Sequence, residues 1–142
     1  MGEIGVVKEL YISVKSANRE NTDEIIVDEQ GIFNDKFYAK DVNRSILLSS
    51  YDSYILAKNN AIEMIDGSLG ENILIDINPY SLTTGTKVYI GEVILEITQN
   101  CTICNSLAKV DKNLAQVLKT DRGIFAKAIN SGKIRKGDTI KF

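Results

Sequence analysis

Short apolar runs cut by Gly, Asn and Asp clusters set the pattern of this chain, and most of them fit strands better than helices. In residues 5–14, Val7, Leu10, Ile12 and Val14 mix with Lys8, Glu9 and Ser13, and the later part alternates at period two, which predicts a strand. Residues 16–23 are polar and read as a loop. Ile25 to Val27 form a short apolar run that stops at the turn-like cluster Asp28, Glu29, Gln30 and Gly31. Residues 31–43 carry Ile32, Phe33, Phe37 and Tyr38 without a clean period and are expected to be irregular. A short strand follows over residues 45–48. Ser50 then stands where a helix N-cap stands, and a helix is expected over about residues 51–58.

The loop Asp66-Gly67-Ser68-Leu69-Gly70 leads into a predicted strand over residues 73–77, closed by Pro79, which cannot donate to a sheet ladder. Residues 87–90 and 93–99 flank Gly91-Glu92, and two alternating runs joined by two residues with glycine first predict a hairpin with a type II′ turn. Val93, Leu95 and Ile97 share one face of that hairpin and are the predicted core. Ile94, Glu96 and Thr98 share the other. Leu114, Val117 and Leu118 recur at helical spacing after Asp111, which predicts a helix over about residues 112–119. Residues 123–129 return to strand, Ser131-Gly132 and Lys136-Gly137-Asp138 turn, and a last short strand ends at Phe142. Many short strands with turn signals and few helices predict a mostly β fold, a small closed or partly closed barrel.

A chain of 142 residues with 44% hydrophobic content fits one domain with its own core, residues 1–142, with no internal repeat and no low-complexity tract. The net charge of −2 offers no basic field for a polyanion, so nucleic acid is not an expected partner. The apolar runs fall far short of the roughly 20 residues a membrane-spanning helix needs. No membrane association is expected, no signal peptide is visible, and the expected location is the cytoplasm.

In that reducing setting, Cys101 and Cys104, the two cysteines of the chain, point to a reactive thiol or a metal ligand more than to a structural disulfide. Histidine is absent, which excludes any mechanism that needs imidazole. A structural zinc site wants a full tetrahedral ligand set, and one CxxC without histidine supplies half of it unless a dimer completes it. A thioredoxin-like dithiol opens a helix in a βαβ context, whereas this CxxC follows an apparent hairpin. Cys104 falls between a strand and a possible helical turn over residues 105–109, a placement that would aim backbone N–H groups at its sulfur. The alternative is a pair of ordinary buried cysteines near a strand end.

The glycines of the loop at residues 67–72 free its backbone to approach an anion, and Arg44 with Lys133 or Arg135 could add charge there. Glu71 has the wrong sign for a phosphate contact and is expected to accept donors within the fold. A tight turn held by a buried acid is the other reading of the loop. Arg44 is either a surface or ion-paired group or a cofactor contact. Tyr51, Tyr54, Phe33 and Phe37 read as core or pocket wall, and Asp138 as an acceptor for nearby N–H groups.

Six blocks of the chain resemble the MOSC domain, the module named after the C-terminal part of molybdenum cofactor sulfurase. They are GIFND at 31–35, RSIL at 44–47, GSLGEN at 67–72, GTKVYIGEVILEITQ at 85–99, Cys104, and GIFAKAINSGKIRKGD at 123–138. The family pattern ahead of its cysteine shows a proline, an arginine and a second proline, where this chain has Asn100, Cys101 and Ile103. By that alignment Cys104 is the family's thiol and Cys101 an addition.

The resemblance implies a strand-rich barrel similar to the small barrel domain of pyruvate kinase. It also implies a role in molybdenum cofactor metabolism, in which Cys104 either carries sulfur as thiolate or persulfide or holds molybdenum as its catalytic and metal-binding residue. Arg44, Gly70, Glu71, Asn72 and Cys101 are the implied cofactor-binding set, and molybdenum cofactor (molybdopterin) or a sulfur donor or acceptor protein the implied partner. If the chain is an enzyme, the implied classes are a molybdenum-cofactor-dependent reductase and a sulfur transferase. The alternative is a non-catalytic module that binds molybdopterin or a partner protein at the barrel mouth. No pyridoxal-phosphate site is identifiable.

Overall fold

A computed structural model describes residues 3–14, 19–101, 113–118 and 121–142. The expected closed barrel is present. Its seven strands are β1 (Ile4–Ser13), β5 (Ile46–Ser50), β6 (Ile73–Ile75), β7 (Lys87–Ile90), β8 (Val93–Asn100), β9 (Ile124–Ala128) and β11 (Thr139–Lys141). They run β11-β7-β8-β9-β5-β6-β1, and β1 closes the ring because its length lets it pair twice. Residues Ile4 to Val6 pair with β11, and Val7 to Leu10 pair with β6 across a bulge between Val7 and Glu9. Closure removes the free edges that an open sheet would expose.

Alternation decides which side chains fill the barrel. In β8 every second residue, Val93, Leu95 and Ile97, is buried, as the pattern predicted, and the residues between are half-buried. The same rule puts Ile46 and Leu48 of β5 and Ile124 and Ala126 of β9 into one core, with Ile73 and Ile75 of β6 beside them. Each fully buried Leu or Ile contributes on the order of 1.5–3 kcal/mol. Gly91, at φ +56°, makes the two-residue turn of the β7–β8 hairpin, a backbone conformation that strains any residue with a Cβ.

A second sheet of β10 (Gly132–Arg135), β3 (Glu24–Asp28) and β4 (Gly31–Ile32) adds Ile25, Val27, Ile32 and Ile134 to the same core. The helix α1 (Tyr51–Asn59) is capped as expected, the Ser50 side chain accepting from the Asp52 N–H at 3.1 Å. Its buried Ala57 meets Ile62, Leu69, Leu114 and Leu118 in a smaller cluster outside the barrel. Among the described residues, no helix is long and apolar enough to cross a membrane.

Several expectations need correction. Residues 19–22 are not loop but strand β2 (Arg19–Thr22), paired with the far end of β1. Its sequence RENT has no apolar member, so its register comes from the backbone ladder and from polar contacts such as Asn21 to Glu9 at 2.9 Å. Strand β10 occupies residues between the two predicted turns. The predicted strand over 73–77 ends at Ile75. Of the helix predicted over 112–119, the described part is one turn, α2 (Leu114–Val117). Phe33, read as core or pocket wall, is 57% exposed.

Candidate functional site

Side chains that alternate with the core point out of the barrel, and two of them floor a cavity. Leu47 of β5 and Phe125 of β9 are direct cross-strand neighbours, and both line a cavity of about 610 Å³. The cavity therefore stands on the barrel's outer wall, not at its mouth. Its remaining walls come from the end of β1 (Ser13), from Arg19, from residues 36–45, from Gly70 and Asn72, and from Cys101 and Arg122.

Asn72 is the joint that holds these walls together. Its N–H donates to the Leu47 carbonyl at 2.8 Å and its Oδ1 accepts from the Leu47 N–H at 3.0 Å. On the other side its carbonyl accepts from the Tyr11 N–H at 2.9 Å, and its Nδ2 donates to the Tyr11 carbonyl at 3.2 Å. An Asn side chain has the donor and the acceptor this needs, so one residue carries the ladders of β6 with β5 and with β1 one step further.

Glu71, next in the chain, turns the opposite way and does not line the cavity. Its Oε2 accepts from the Tyr54 hydroxyl at 2.5 Å, and Tyr54 Oη in turn accepts from the Gly67 N–H at 3.0 Å. The Glu71 side chain is thus engaged within its own loop, as the charge argument expected. Burial pushes its carboxyl above the ordinary carboxylate range, against the hydrogen bond from Tyr54 and the charge of Arg19.

Charge in the cavity is one-sided. Arg19, Lys36, Lys40, Arg44 and Arg122 line it, with Asp41 as the one acid among the described lining residues. In a chain of net −2 this is a local positive field, and a partly enclosed site strengthens it. Arg122, 7% exposed, sits behind Gly70 and donates from Nη2 to the Leu69 carbonyl at 3.1 Å. Arg44 lies over the ring of Phe125, 5.0 Å from its centroid. Phe37 is half-exposed at the cavity, with Lys36 over its ring at 5.1 Å. Asp35 places this segment: its carboxylate accepts from the Ser13 N–H at 2.7 Å and from the Phe37 N–H at 3.0 Å.

Arg19 donates from Nη1 to Ser13 Oγ at 2.8 Å and from Nη2 to the Glu71 carbonyl, and its Cζ lies 5.5 Å from the centroid of the Tyr11 ring. Arg19 Nε and Glu71 Oε1 are the buried side-chain atoms without a hydrogen-bond partner among the described residues. Burial lowers the Arg19 pKa from its ordinary value, with Glu71 and Asp35 opposing the shift.

Of the residues singled out from the sequence, Arg44, Gly70, Asn72 and Cys101 meet at this cavity. Cys101 is 5% exposed, and its N–H extends the β8–β9 ladder to the Gly123 carbonyl at 3.0 Å. Cys104, with the expected helical turn over 105–109, lies outside the described residues. Lys133 and Arg135 are elsewhere: both belong to β10, and Arg135 Nε pairs with Glu24 at 3.1 Å. Asp138 accepts the Arg135 N–H at 2.8 Å, as a turn aspartate should. Arg19, Lys36, Lys40 and Arg122 were missed, since nothing in a single charged residue's neighbours in sequence tells which distant residues it will face.

Among the described residues, no group of three His, Cys, Asp or Glu stands ready to hold a metal. Cationic side chains, the rings of Phe37 and Phe125, and Cys101 line this one cavity together.

The fold is similar to that of the YuaD protein from Bacillus subtilis, with a TM-score of 0.85 and 18% identity over 99% of this chain and 96% of that one. It is also similar to YiiM from Escherichia coli (TM-score 0.71, 17% identity, 99% and 68% covered). YiiM from Geobacillus stearothermophilus gives a TM-score of 0.72 at 13% identity, with 99% and 75% covered. At these identities the likeness is one of fold. No curated protein matches the sequence. The MOSC domain pattern matches residues 35–141, most of the chain. The chain therefore belongs to the MOSC domain family, a family associated with the molybdenum cofactor.

Proposed function

We propose that this protein binds molybdenum cofactor at the outer-wall cavity and uses the Cys104 thiolate either as a ligand to molybdenum or as a carrier of sulfur. The observation that carries the reading is the convergence of five cations from separate segments, with Cys101, on one cavity of an otherwise slightly acidic chain. The residues fit the group. Arg44, the Gly70 backbone, Asn72 and the neighbouring arginines would hold its anionic end, and Phe125 and Phe37 would flank its ring system. When bound, the cofactor supplies the redox-active metal centre, and a soft thiolate is a suitable ligand for it.

As a carrier, the Cys104 thiolate attacks the terminal sulfur of a donor protein's persulfide. The donor leaves as its own thiolate, and Cys104 keeps the transferred sulfur as a persulfide, with no net oxidation or reduction. The proposed setting is the reducing cytoplasm, where such thiols stay available. A reductase and a sulfur transferase are the enzyme classes this chemistry serves.

The test is incubation of the purified protein with molybdopterin and, separately, with a persulfide donor. Intact mass reads sulfur loading, and pterin fluorescence reads binding. The reading expects pterin retention by the wild type, and loss of either sulfur loading or molybdenum retention in Cys104→Ser. Retention of pterin with no dependence on Cys104 would turn the reading into a non-catalytic binding module. Failure of both would remove it.

A further inference from the structure

Beside the cavity, the second sheet leaves its outer face open. Strands β10, β3 and β4 alternate, so Ile134, Ile25, Val27 and Ile32 enter the core and the residues between them face out. Lys133 stands opposite Ile26 in the β10–β3 register, and the Phe33 N–H donates to the Ile26 carbonyl at 2.8 Å, which sets Lys133, Ile26 and Phe33 in one row. Ile26 is 46% exposed and Phe33 57%. From there the apolar surface runs on to the cavity. The rings of Phe33 and Tyr38 meet edge to face, centroids 6.4 Å apart, and Phe37, next in the chain and 51% exposed, is itself part of the cavity lining. Single exposed apolar residues need no explanation, but a connected patch of them marks a contact surface.

Charge decides what this surface faces. Lys36, Lys40 and Arg44 stand at its cavity end and Lys133 at the other, and none of them enters an ion pair among the described residues. The acids alongside are Asp28, Glu29 and Asp41. Asp28 accepts from the Tyr38 hydroxyl at 2.5 Å and from the Gln30 N–H at 2.8 Å, and Asp41 from the Asn43 N–H at 3.1 Å. Glu24 is paired with Arg135. Positive charge is thus in surplus on this side of a chain whose total is −2. A second copy docked through the same patch would set these cations against themselves, which argues for a different, acidic partner.

We infer that the surface from Lys133 through Ile26 and Phe33 to Phe37 docks a partner protein that presents an apolar centre ringed by carboxylates. Ile26 and Phe33 are the anchors and the lysines the polar rim. A partner seated there stands at the edge of the cavity, the position from which a ligand or a sulfur atom is handed over. That purpose rests on the proposed reading of the cavity; the docking itself does not.

NMR titration of the labelled wild type at low salt tests this with three probes. They are a synthetic peptide carrying Phe and Leu among Glu residues, the same peptide with Lys in place of Glu, and a single-stranded oligonucleotide. The acidic peptide is expected to move the Ile26 methyl and Phe33 amide resonances, and the other two to leave them in place. Phe33→Ser and Ile26→Ser should each weaken the acidic peptide roughly tenfold or more, as loss of an anchor does, and Lys133→Glu roughly several-fold. Ile65→Ser removes another apolar side chain, 82% exposed and lining a separate cavity, and should leave the affinity unchanged. No shift with the acidic peptide, equal binding of the basic one, or indifference to both Phe33→Ser and Ile26→Ser would overturn the docking surface. Binding of the oligonucleotide alone at these resonances would overturn it in favour of nucleic acid. Pterin retention keeps the two readings apart, since Phe33→Ser and Lys133→Glu should retain pterin as the wild type does. Peptide binding without pterin retention by the wild type would remove the cavity reading and leave the docking surface; pterin retention without peptide binding would do the reverse.

Discussion

Tyr54 donates its hydroxyl proton to Glu71 Oε2 at 2.5 Å, tying helix α1 to the loop whose other face opens on the cavity. Since Gly70 and Asn72 line that cavity on either side of Glu71, the acid helps to hold the cavity wall without lining it.

Glu71 carries a pH signature. Burial raises its folded-state pKa above the ordinary 4.5, so the folded chain holds this proton more tightly than the unfolded chain does. The stability it contributes is fully present below 4.5 and is lost as pH rises through the raised folded value. Glu71→Gln removes the titration and keeps an acceptor for Tyr54. Thermal melts of both proteins should therefore diverge in favour of Glu71→Gln as pH rises above 4.5 and converge below it. Parallel melting curves across that range would show that Glu71 titrates as it does in the unfolded chain.

Tyr54→Phe removes the donor to Glu71 and the acceptor of the Gly67 N–H together. A loss of about 1–3 kcal/mol in a denaturant titration is expected, with an unchanged slope. A neutral result would mean that the loop is held by its backbone turns alone.

Asn72→Ala leaves the Leu47 N–H and the Tyr11 carbonyl without their side-chain partners in a buried place. The cost should be about 2 kcal/mol or more, larger than for Tyr54→Phe, because two strands lose their splice. Hydrogen exchange at the Leu47 amide should accelerate more than at Leu95. Equal acceleration at both would indicate global rather than local loosening.

In β8 the alternation is testable with a pair of substitutions. Leu95→Ala, in the barrel core, should cost about 2–5 kcal/mol. Ile94→Ala, on the half-buried face, should cost well under half as much. Similar losses for the two would mean that the outer face of this hairpin is covered.

Much of the barrel was legible because its strands alternate. The hairpin of β7 and β8 has apolar residues at every second place and a glycine-led turn, so its ends, its turn and its core face could all be read. Strand β2 could not be, because Arg19, Glu20, Asn21 and Thr22 bury no apolar side chain and are held by pairing with the far end of β1. The same limit hid half of the site. Arg44, Gly70, Asn72 and Cys101 could be singled out by motif. Arg19 and Arg122 meet them only through strand pairing across many residues, and a net charge of −2 conceals five cations gathered in one place. Of the two readings of Glu71, the acid that accepts donors within its own fold matches its hydrogen bond from Tyr54, a role its negative charge made legible.

Ligand binding in such a site should weaken with salt, since screening acts on the summed field of the partly exposed lysines and Arg44. Raising ionic strength from about 0.05 to 0.5 M should lower affinity for phenyl phosphate several-fold in the wild type, and less so in Lys40→Gln. A flat salt response would point to apolar contacts as the source of affinity.

Equilibrium dialysis of molybdopterin against the wild type and against the double charge reversal K40E/R44E tests the central claim most directly. The account predicts an excess of pterin on the wild-type side, abolished in the double variant at unchanged melting temperature. Equal pterin on both sides of the membrane with the wild type would contradict it.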